Sequence, residues 1–218
     1  TVDINTLPDF AKYAYKNKRW AYVADVVRFQ KMYEYGGVYL DTDMLIIKDP
    51  TELFYSPLSG RASDSVLRTA RVDETDISIW GMEDKDYVSC GIIACNKGNN
   101  LMRDLGQFYN EYYKTHNMNV VIEVPKIVTK FINDEFNKYP VIVYPTEYFY
   151  PLPAAYKKED YRKFLTEKSY AVHLWNYSWQ TLFMKIMRKV KIVQLGKAIV
   201  PKGLRPFVIN TLRRLKLN

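Results

Sequence analysis

The pattern of apolar and polar positions divides the chain into helical and extended segments. Apolar residues recur three to four positions apart along residues 20–35, and Gly36-Gly37 ends this segment, which is typical of a helix. Short apolar runs bounded by turn residues are typical of strands. The pattern predicts helices at residues 8–18, 20–35, 99–114, 124–136 and 158–165, and strands at residues 38–40, 45–47, 87–96, 141–144 and 170–174.

Helices and strands alternate along most of the chain, which predicts a mixed α/β sandwich around a mostly parallel central sheet. Residues 56–86 are polar and irregular, and we expect loops there. The composition changes near Thr181, beyond which no acidic residue occurs. We therefore predict one domain over residues 1–180 and a basic amphipathic helical tail over residues 181–218.

Charge is distributed unevenly between these two parts. Ten of the 32 basic residues lie in the tail, which leaves 22 basic and 24 acidic residues in the rest of the chain. The slightly negative net charge of the chain outside the tail argues against nucleic-acid binding. The tail aligns Leu182, Ile186 and Val190 on one face, so it either lies on an anionic membrane surface or packs on the domain with its basic side in solvent.

Cys90 and Cys95 lie five residues apart in one predicted strand, which places them on opposite faces, so we expect no disulfide between them. Their spacing fits no zinc site, which favours a reducing compartment. No apolar run approaches the ~20 residues that span a bilayer, and no signal-peptide pattern opens the sequence. We expect a cytoplasmic protein, peripheral at the inner face of the membrane if the tail binds lipid.

The clearest chemical signal is Asp41-Thr42-Asp43, directly after a predicted strand. Residues two apart in extended chain point the same way, so both carboxylates can hold one hard cation, Mn²⁺ or Mg²⁺. Such an ion neutralises the charge that grows on a departing nucleoside diphosphate. A lone acidic triplet is often only a solvated turn.

Neighbouring residues favour a site over a solvated turn. Gly36-Gly37 permits a tight connection between helix and strand. Asp25 and Arg28 lie three apart on the preceding helix, so they share a face and can both aim at the triplet. An arginine suits two carboxylates and a diphosphate, although an ordinary surface ion pair would use the same spacing.

Blocks spread over residues 7–179 carry a resemblance to a known family. They are Asp25-Val-Val-Arg28, residues 33–43, residues 88–96, the aromatic loop at residues 147–151 and the closing motif at residues 173–179. Together they resemble the DXD-containing sugar transferases of glycosyltransferase family 32, which include capsule and lipopolysaccharide hexosyltransferases and initiating mannosyltransferases.

This resemblance implies a GT-A fold, a divalent cation, an α-linked nucleotide-sugar donor and retention of anomeric configuration. It implies that Asp43 ligates the metal and that Asp41 contacts ribose and metal. Asp25 would hold hydroxyls of the donor sugar, and Arg28 would bind the sugar or the diphosphate. The donor would be a UDP-hexose or GDP-mannose, and the acceptor a glycan or lipid-linked acceptor of surface polysaccharide synthesis.

The closing motif would cover the donor phosphates. The resemblance makes His173 a metal or diphosphate ligand, although a histidine at a strand end is also often a core residue. Asn176, Ser178 and Trp179 would cap the phosphates from a loop that closes over the donor. Family members usually begin with a strand that contacts the nucleotide base, and no such strand precedes the helix at Trp20 in this sequence.

Other interpretations stay open. The acids Glu83, Asp84 and Asp86 face either the reacting sugar and the acceptor or solvent. A toxin-like transferase that modifies a protein, or an inactive sugar-nucleotide-binding module, would share most of these motifs. A haloacid-dehalogenase-type phosphohydrolase also places Asp-x-Asp after a strand, but that class has Thr or Val where Leu45 stands.

Overall fold

A computed structural model describes residues 3–55, 67–68, 76–115, 123–134 and 138–176. Its helices are α1 (Asp9–Lys16), α2 (Trp20–Tyr35), α3 (Thr51–Tyr55), α4 (Asn100–Thr115), α5 (Val124–Asp134) and α6 (Thr146–Phe149). Its strands are β1 (Gly37–Leu40), β2 (Met44–Ile46), β3 (Leu67–Arg68), β4 (Ser78–Met82), β5 (Val88–Cys95), β6 (Val141–Tyr144) and β7 (Ala171–His173). The predicted mixed α/β fold is confirmed.

The strands of the described residues form a five-stranded sheet in the order β1-β5-β4-β6-β3 and a two-stranded ribbon of β2 and β7. Within the larger sheet β4 and β6 are parallel, while β1–β5, β4–β5 and β3–β6 are antiparallel. The mostly parallel sheet is therefore not confirmed. The short connection between β4 and β5 forces an antiparallel pair, because only a long crossover can return a chain in the same direction.

Three strands of this mixed sheet nevertheless run in one direction. Since β5 is antiparallel to both β1 and β4, and β4 is parallel to β6, the strands β1, β4 and β6 all point the same way. Their carboxyl ends therefore lie at one end of the sheet. In α/β sheets this end is the usual place for a ligand site.

Two predicted segments differ from the structure. Residues 78–82, expected to be loop, form the central strand β4, in which Ser78 to Gly81 are fully buried. A strand buried on both faces lacks the alternation that marks a strand in sequence. Residues 158–165, expected to be helical, contain only a 3₁₀ turn at Tyr161–Phe164.

The core lies between the larger sheet and the helices α1, α2, α4 and α5. Phe10, Phe29 and Trp80 are each at most 1% exposed there, and all eight residues of β5 are buried. Helix α2 ends at Gly36, whose φ is +66°. A Cβ at Gly36 would lie 2.4 Å from the backbone nitrogen of Lys97, so only glycine fits where this helix passes the end of β5.

The register of β5 is interrupted near Gly91. Ile79 pairs with Ala94, but Gly81 pairs with Ser89, so five residues of β5 span the length of two residues of β4. This β-bulge breaks the alternation of faces. Cys90 and Cys95 consequently share one core cluster, in contrast to the prediction of opposite faces, and both are free thiols as expected.

No helix among the described residues combines the length and the apolar character needed to cross a membrane. The predicted boundary near Thr181 and the basic tail at residues 181–218 lie outside the described residues.

Candidate active site

The site lies where β1, β4 and β6 end. Asp41 follows β1 directly, Glu83 follows β4, and the segment from Pro145 to Tyr150 follows β6. The ribbon of β2 and β7 closes the same end, since Met44 pairs with His173. Strand direction thus brings together residues that are up to 132 positions apart in the sequence.

The acidic triplet is a turn rather than an extension of β1. The Asp41 amide donates to the Gly91 carbonyl oxygen (2.8 Å), and the Met44 amide donates to the Asp41 carbonyl oxygen (3.0 Å). The two carboxylates therefore converge through a turn, and the alternation of an extended chain does not apply here. Asp41 and Asp43 are both partly buried, so they keep access to a ligand.

Three residues that lie more than 100 positions later in the sequence hold Asp43 in place. Its Oδ1 lies 2.9 Å from Nε2 of His173, and its Oδ2 accepts from the backbone amide of Asn176 (2.8 Å). Its carbonyl oxygen accepts from the Leu174 amide (2.9 Å). Asn176 thus reaches the triplet through its backbone, whereas Ser178 and Trp179 lie outside the described residues.

Asp41, Asp43 and His173 can hold a metal ion. One ligand atom from each residue lies within 4.8 Å of the others. Two carboxylates and an imidazole suit Mn²⁺, and the oxygen atoms alone suit Mg²⁺.

The buried guanidinium of Arg28 binds the carboxylate of Asp41. Its Nη2 lies 3.1 Å from Oδ1 of Asp41 and 3.4 Å from Oδ1 of Asp25, and its Nη1 donates to the Cys90 carbonyl oxygen (2.8 Å). Burial lowers the pKa of Arg28, but the charges of Asp25 and Asp41 outweigh burial and raise it. Arg28 is therefore a permanent cation, only 7% exposed, that pairs with two carboxylates.

Two further tyrosines, Tyr39 and Tyr150, lie beside these residues, and neither is among the site residues predicted from the sequence. The hydroxyl of Tyr39 donates to Oδ1 of Asp41 (2.7 Å), and the Arg28 guanidinium lies 4.5 Å from the centre of the Tyr39 ring. The hydroxyl of Tyr150 accepts from the Ile92 amide (2.9 Å), where the pairing of β5 with β4 is interrupted. Tyr39 could have been found from the sequence, because it lies in β1 only two residues before Asp41.

The imidazole of His173 is enclosed by aromatic rings. The ring of Trp175 lies edge-on to it at 4.1 Å, and the ring of Tyr150 lies at 5.9 Å. Trp175 has φ of +54°, an uncommon conformation for a non-glycine residue, and its indole Nε1 donates to the Leu152 carbonyl oxygen (2.7 Å). Trp175 directly precedes Asn176, whose backbone amide donates to Asp43.

Two family models match the chain. A glycosyltransferase sugar-binding region containing a DXD motif matches residues 2–59, and an alpha 1,4-glycosyltransferase conserved region matches residues 97–199. The first match contains Asp41-Thr42-Asp43, and the second contains His173. No solved structure matches the chain. The two family matches indicate a glycosyltransferase with a DXD-containing sugar-binding region, and hence a nucleotide-sugar donor and an acceptor.

Proposed function

We propose that this chain is a metal-dependent, retaining hexosyltransferase of the family 32 type. It transfers a hexose from a nucleotide sugar, with a UDP-hexose favoured over GDP-mannose, to a glycan or lipid-linked acceptor of surface polysaccharide synthesis. The observation that carries the proposal is the convergence of Asp41, Asp43 and His173 at the carboxyl end of β1. A cation there would hold the diphosphate and neutralise the charge that develops as it leaves.

Each residue of the site has a proposed role that its contacts support. Asp43 and His173 hold the cation, and Asp41 contacts the cation and the ribose. Arg28 keeps Asp41 in place, and it is proposed to bind the sugar or the diphosphate. Asp25, beside Arg28, is proposed to bind hydroxyls of the donor sugar.

The closing motif is proposed to cap the diphosphate. The Asn176 amide already points into the site through its bond to Asp43, and Ser178 and Trp179 follow it in the sequence. The description of the second matching family as alpha 1,4-glycosyltransferases supports retention. An α-linked donor that yields an α-linked product keeps its anomeric configuration.

Donor hydrolysis tests this function. UDP-glucose, UDP-galactose and GDP-mannose are each incubated with the protein in Mn²⁺ or in EDTA, and nucleotide release is measured. We expect release from one of them in Mn²⁺ alone, and its loss in Asp43→Ala. Asp86→Asn, which changes an exposed acid in the β4–β5 turn, is the matched control and should keep full activity. Release in EDTA, or an unaffected Asp43→Ala variant, would refute the mechanism.

We further propose that the basic tail at residues 181–218 binds an anionic membrane surface and places the enzyme beside lipid-linked acceptors at the inner face of the membrane. Each basic residue near such a surface contributes about 1 kcal/mol. Co-sedimentation with phosphatidylserine-containing vesicles should occur at low salt and weaken at high salt. Binding that persists after deletion of residues 181–218 would contradict this role.

A further inference from the structure

The connection from α1 to α2 carries a surface that is both basic and aromatic. Residues 12–20, which we call the α1–α2 corner, contain no acidic residue and four basic ones: Lys12, Lys16, Lys18 and Arg19. The other residues of the chain before the tail include 18 basic and 24 acidic ones, so this positive charge is local. Residues 15–18 are all exposed, and so is Trp20.

Helix α1 presents this surface because its opposite face is packed in the core. The buried residues of α1 are Phe10, Ala11 and Ala14. Since each residue of a helix is rotated by about 100° from the one before, Lys12 and Lys16 lie on the face away from them, with Tyr15 beside that face. The fold therefore leaves the basic residues of α1 on its outer side.

Tyr15 and Trp20 form an exposed aromatic pair within the corner. The Tyr15 side chain is 46% exposed and that of Trp20 is 53% exposed, and their rings meet edge to face with centres 5.2 Å apart. Tyrosine and tryptophan rings prefer the headgroup region of a bilayer, because each has an apolar body and a polar edge. Basic side chains beside them are attracted to anionic lipids. The corner thus combines the two features that an anionic membrane surface recognises.

The corner lies at the same end of the sheet as the candidate site. Helix α2 folds back along β1, because Gly36 joins the two and Arg28 reaches Asp41 just beyond the end of β1. The residues of α2 before Arg28 therefore continue past that end. With a rise of about 1.5 Å per residue, Trp20 lies about 12 Å beyond Arg28 along the helix. A membrane that contacts the corner would consequently lie on the side of the domain that holds the site.

We propose that the α1–α2 corner contacts an anionic membrane surface, with the rings of Tyr15 and Trp20 among the lipid headgroups. The contact turns the site toward acceptors held at the membrane. This inference rests on the membrane attachment proposed for the tail and adds a second contact made by other residues. Stable attachment of a peripheral protein takes two such signals. The corner alone is therefore too weak to keep the protein on vesicles once residues 181–218 are deleted.

Quenching of tryptophan fluorescence by brominated lipids tests the contact itself. Trp80 and Trp175 are buried, and Trp179 is replaced by phenylalanine in every sample, so quenching reports on Trp20. The full-length protein is mixed with brominated phosphatidylcholine vesicles that contain phosphatidylserine. We expect the emission to be quenched, and the quenching to be lost in Trp20→Phe while the protein still co-sediments. Co-sedimentation without quenching of Trp20 would overturn the contact and leave the role of the tail intact.

Charge removal tests whether the corner, rather than net charge alone, binds the membrane. Each basic residue at an anionic surface strengthens binding about fivefold, so Lys16→Gln with Lys18→Gln should weaken vesicle binding about 25-fold in about 0.1 M salt. The matched control is Lys31→Gln with Lys97→Gln, which removes equal charge near the start of β1, at the opposite end of the sheet. It should weaken binding less than about twofold, because charges more than about 10 Å from the surface are screened.

The remaining outcomes separate the corner from the other proposals. Equal weakening by the two double variants would overturn the proposed orientation. A wild-type protein that binds no phosphatidylserine vesicles refutes this inference and the role of the tail together. Absence of donor hydrolysis in a protein whose Trp20 is quenched refutes the transferase and leaves the membrane contact in place.

Discussion

Replacing Gly91 by alanine should damage the site without unfolding the protein. The new Cβ would lie 3.0 Å from the Tyr150 hydroxyl and 3.2 Å from Oδ2 of Asp41, closer than nine in ten real Cβ contacts. Oδ1 of Asp41 is fixed by Arg28 and Tyr39, so the carboxylate can yield only by rotating about that fixed oxygen. Such a rotation moves Oδ2 by a few tenths of an ångström away from its position in the site.

The size of the effect follows from the tolerance of a metal site. Ligand distances in metal sites hold within about 0.2 Å, and a misplacement of about 1 Å can cost 100-fold in rate. We therefore expect kcat/KM for donor hydrolysis to fall about tenfold to 100-fold in Gly91→Ala. The free energy of unfolding should change by less than about 1 kcal/mol, because alanine also reduces the entropy of the unfolded chain.

The chain offers a matched control in helix α4. A Cβ on Gly106 would meet only Cβ of Phe29, at 3.8 Å, which is an ordinary contact. Gly106→Ala should therefore raise the free energy of unfolding by about 0.5–1 kcal/mol through helix propensity and leave hydrolysis unchanged. Both variants are compared by UDP release over a Mn²⁺ titration and by urea unfolding. Wild-type activity in Gly91→Ala, or an equal loss in Gly106→Ala, would show that the space beside Gly91 does not position Asp41.

Two stability predictions follow from the buried charges of the site. Arg28→Met leaves Asp25 and Asp41 facing each other without a counter-ion, so urea unfolding should give a loss of about 3 kcal/mol, partly recovered by adding Asp25→Asn. A double variant whose loss of stability equals the sum of the losses of the two single variants would contradict this prediction. The pKa of Glu83 is raised to about 7 by burial, so the stability that its neutral form contributes is complete below its ordinary pKa and lost as the pH rises through 7. Glu83→Gln should therefore gain stability relative to the wild type between pH 5 and pH 8, by at most about 3 kcal/mol, and a pH-independent difference would contradict it.

Several helices and strands could be predicted from local patterns in the sequence. The bounds of α2 and β6 match the predicted segments, because helix periodicity with a glycine stop and a short apolar run between turns are local signals. The directions of the strands were not predictable in this way. They depend on β5 lying between β1 and β4, a long-range arrangement that no local pattern records.

The candidate site likewise contains residues that could be predicted from the sequence and residues that could not. Asp41 and Asp43 were identifiable from spacing, and Arg28 from its position on the preceding helix. Tyr150 was not identified, since its hydroxyl accepts from the Ile92 amide at the place where β5 and β4 change register, and this contact joins residues far apart in the sequence. Bulges leave only weak traces in sequence, and Gly91 is the trace here.

In the proposed mechanism, the acidic triplet binds a cation that in turn holds a nucleoside diphosphate. Calorimetric titration of UDP into the wild-type protein, into Asp43→Asn and into the control Asp86→Asn, each with Mn²⁺ or with EDTA, measures this coupling. We predict that Mn²⁺ strengthens UDP binding at least tenfold in the wild type and in Asp86→Asn, and has no effect in Asp43→Asn. Equal UDP affinity of the wild type in Mn²⁺ and in EDTA, or full Mn²⁺ coupling in Asp43→Asn, would contradict the claim.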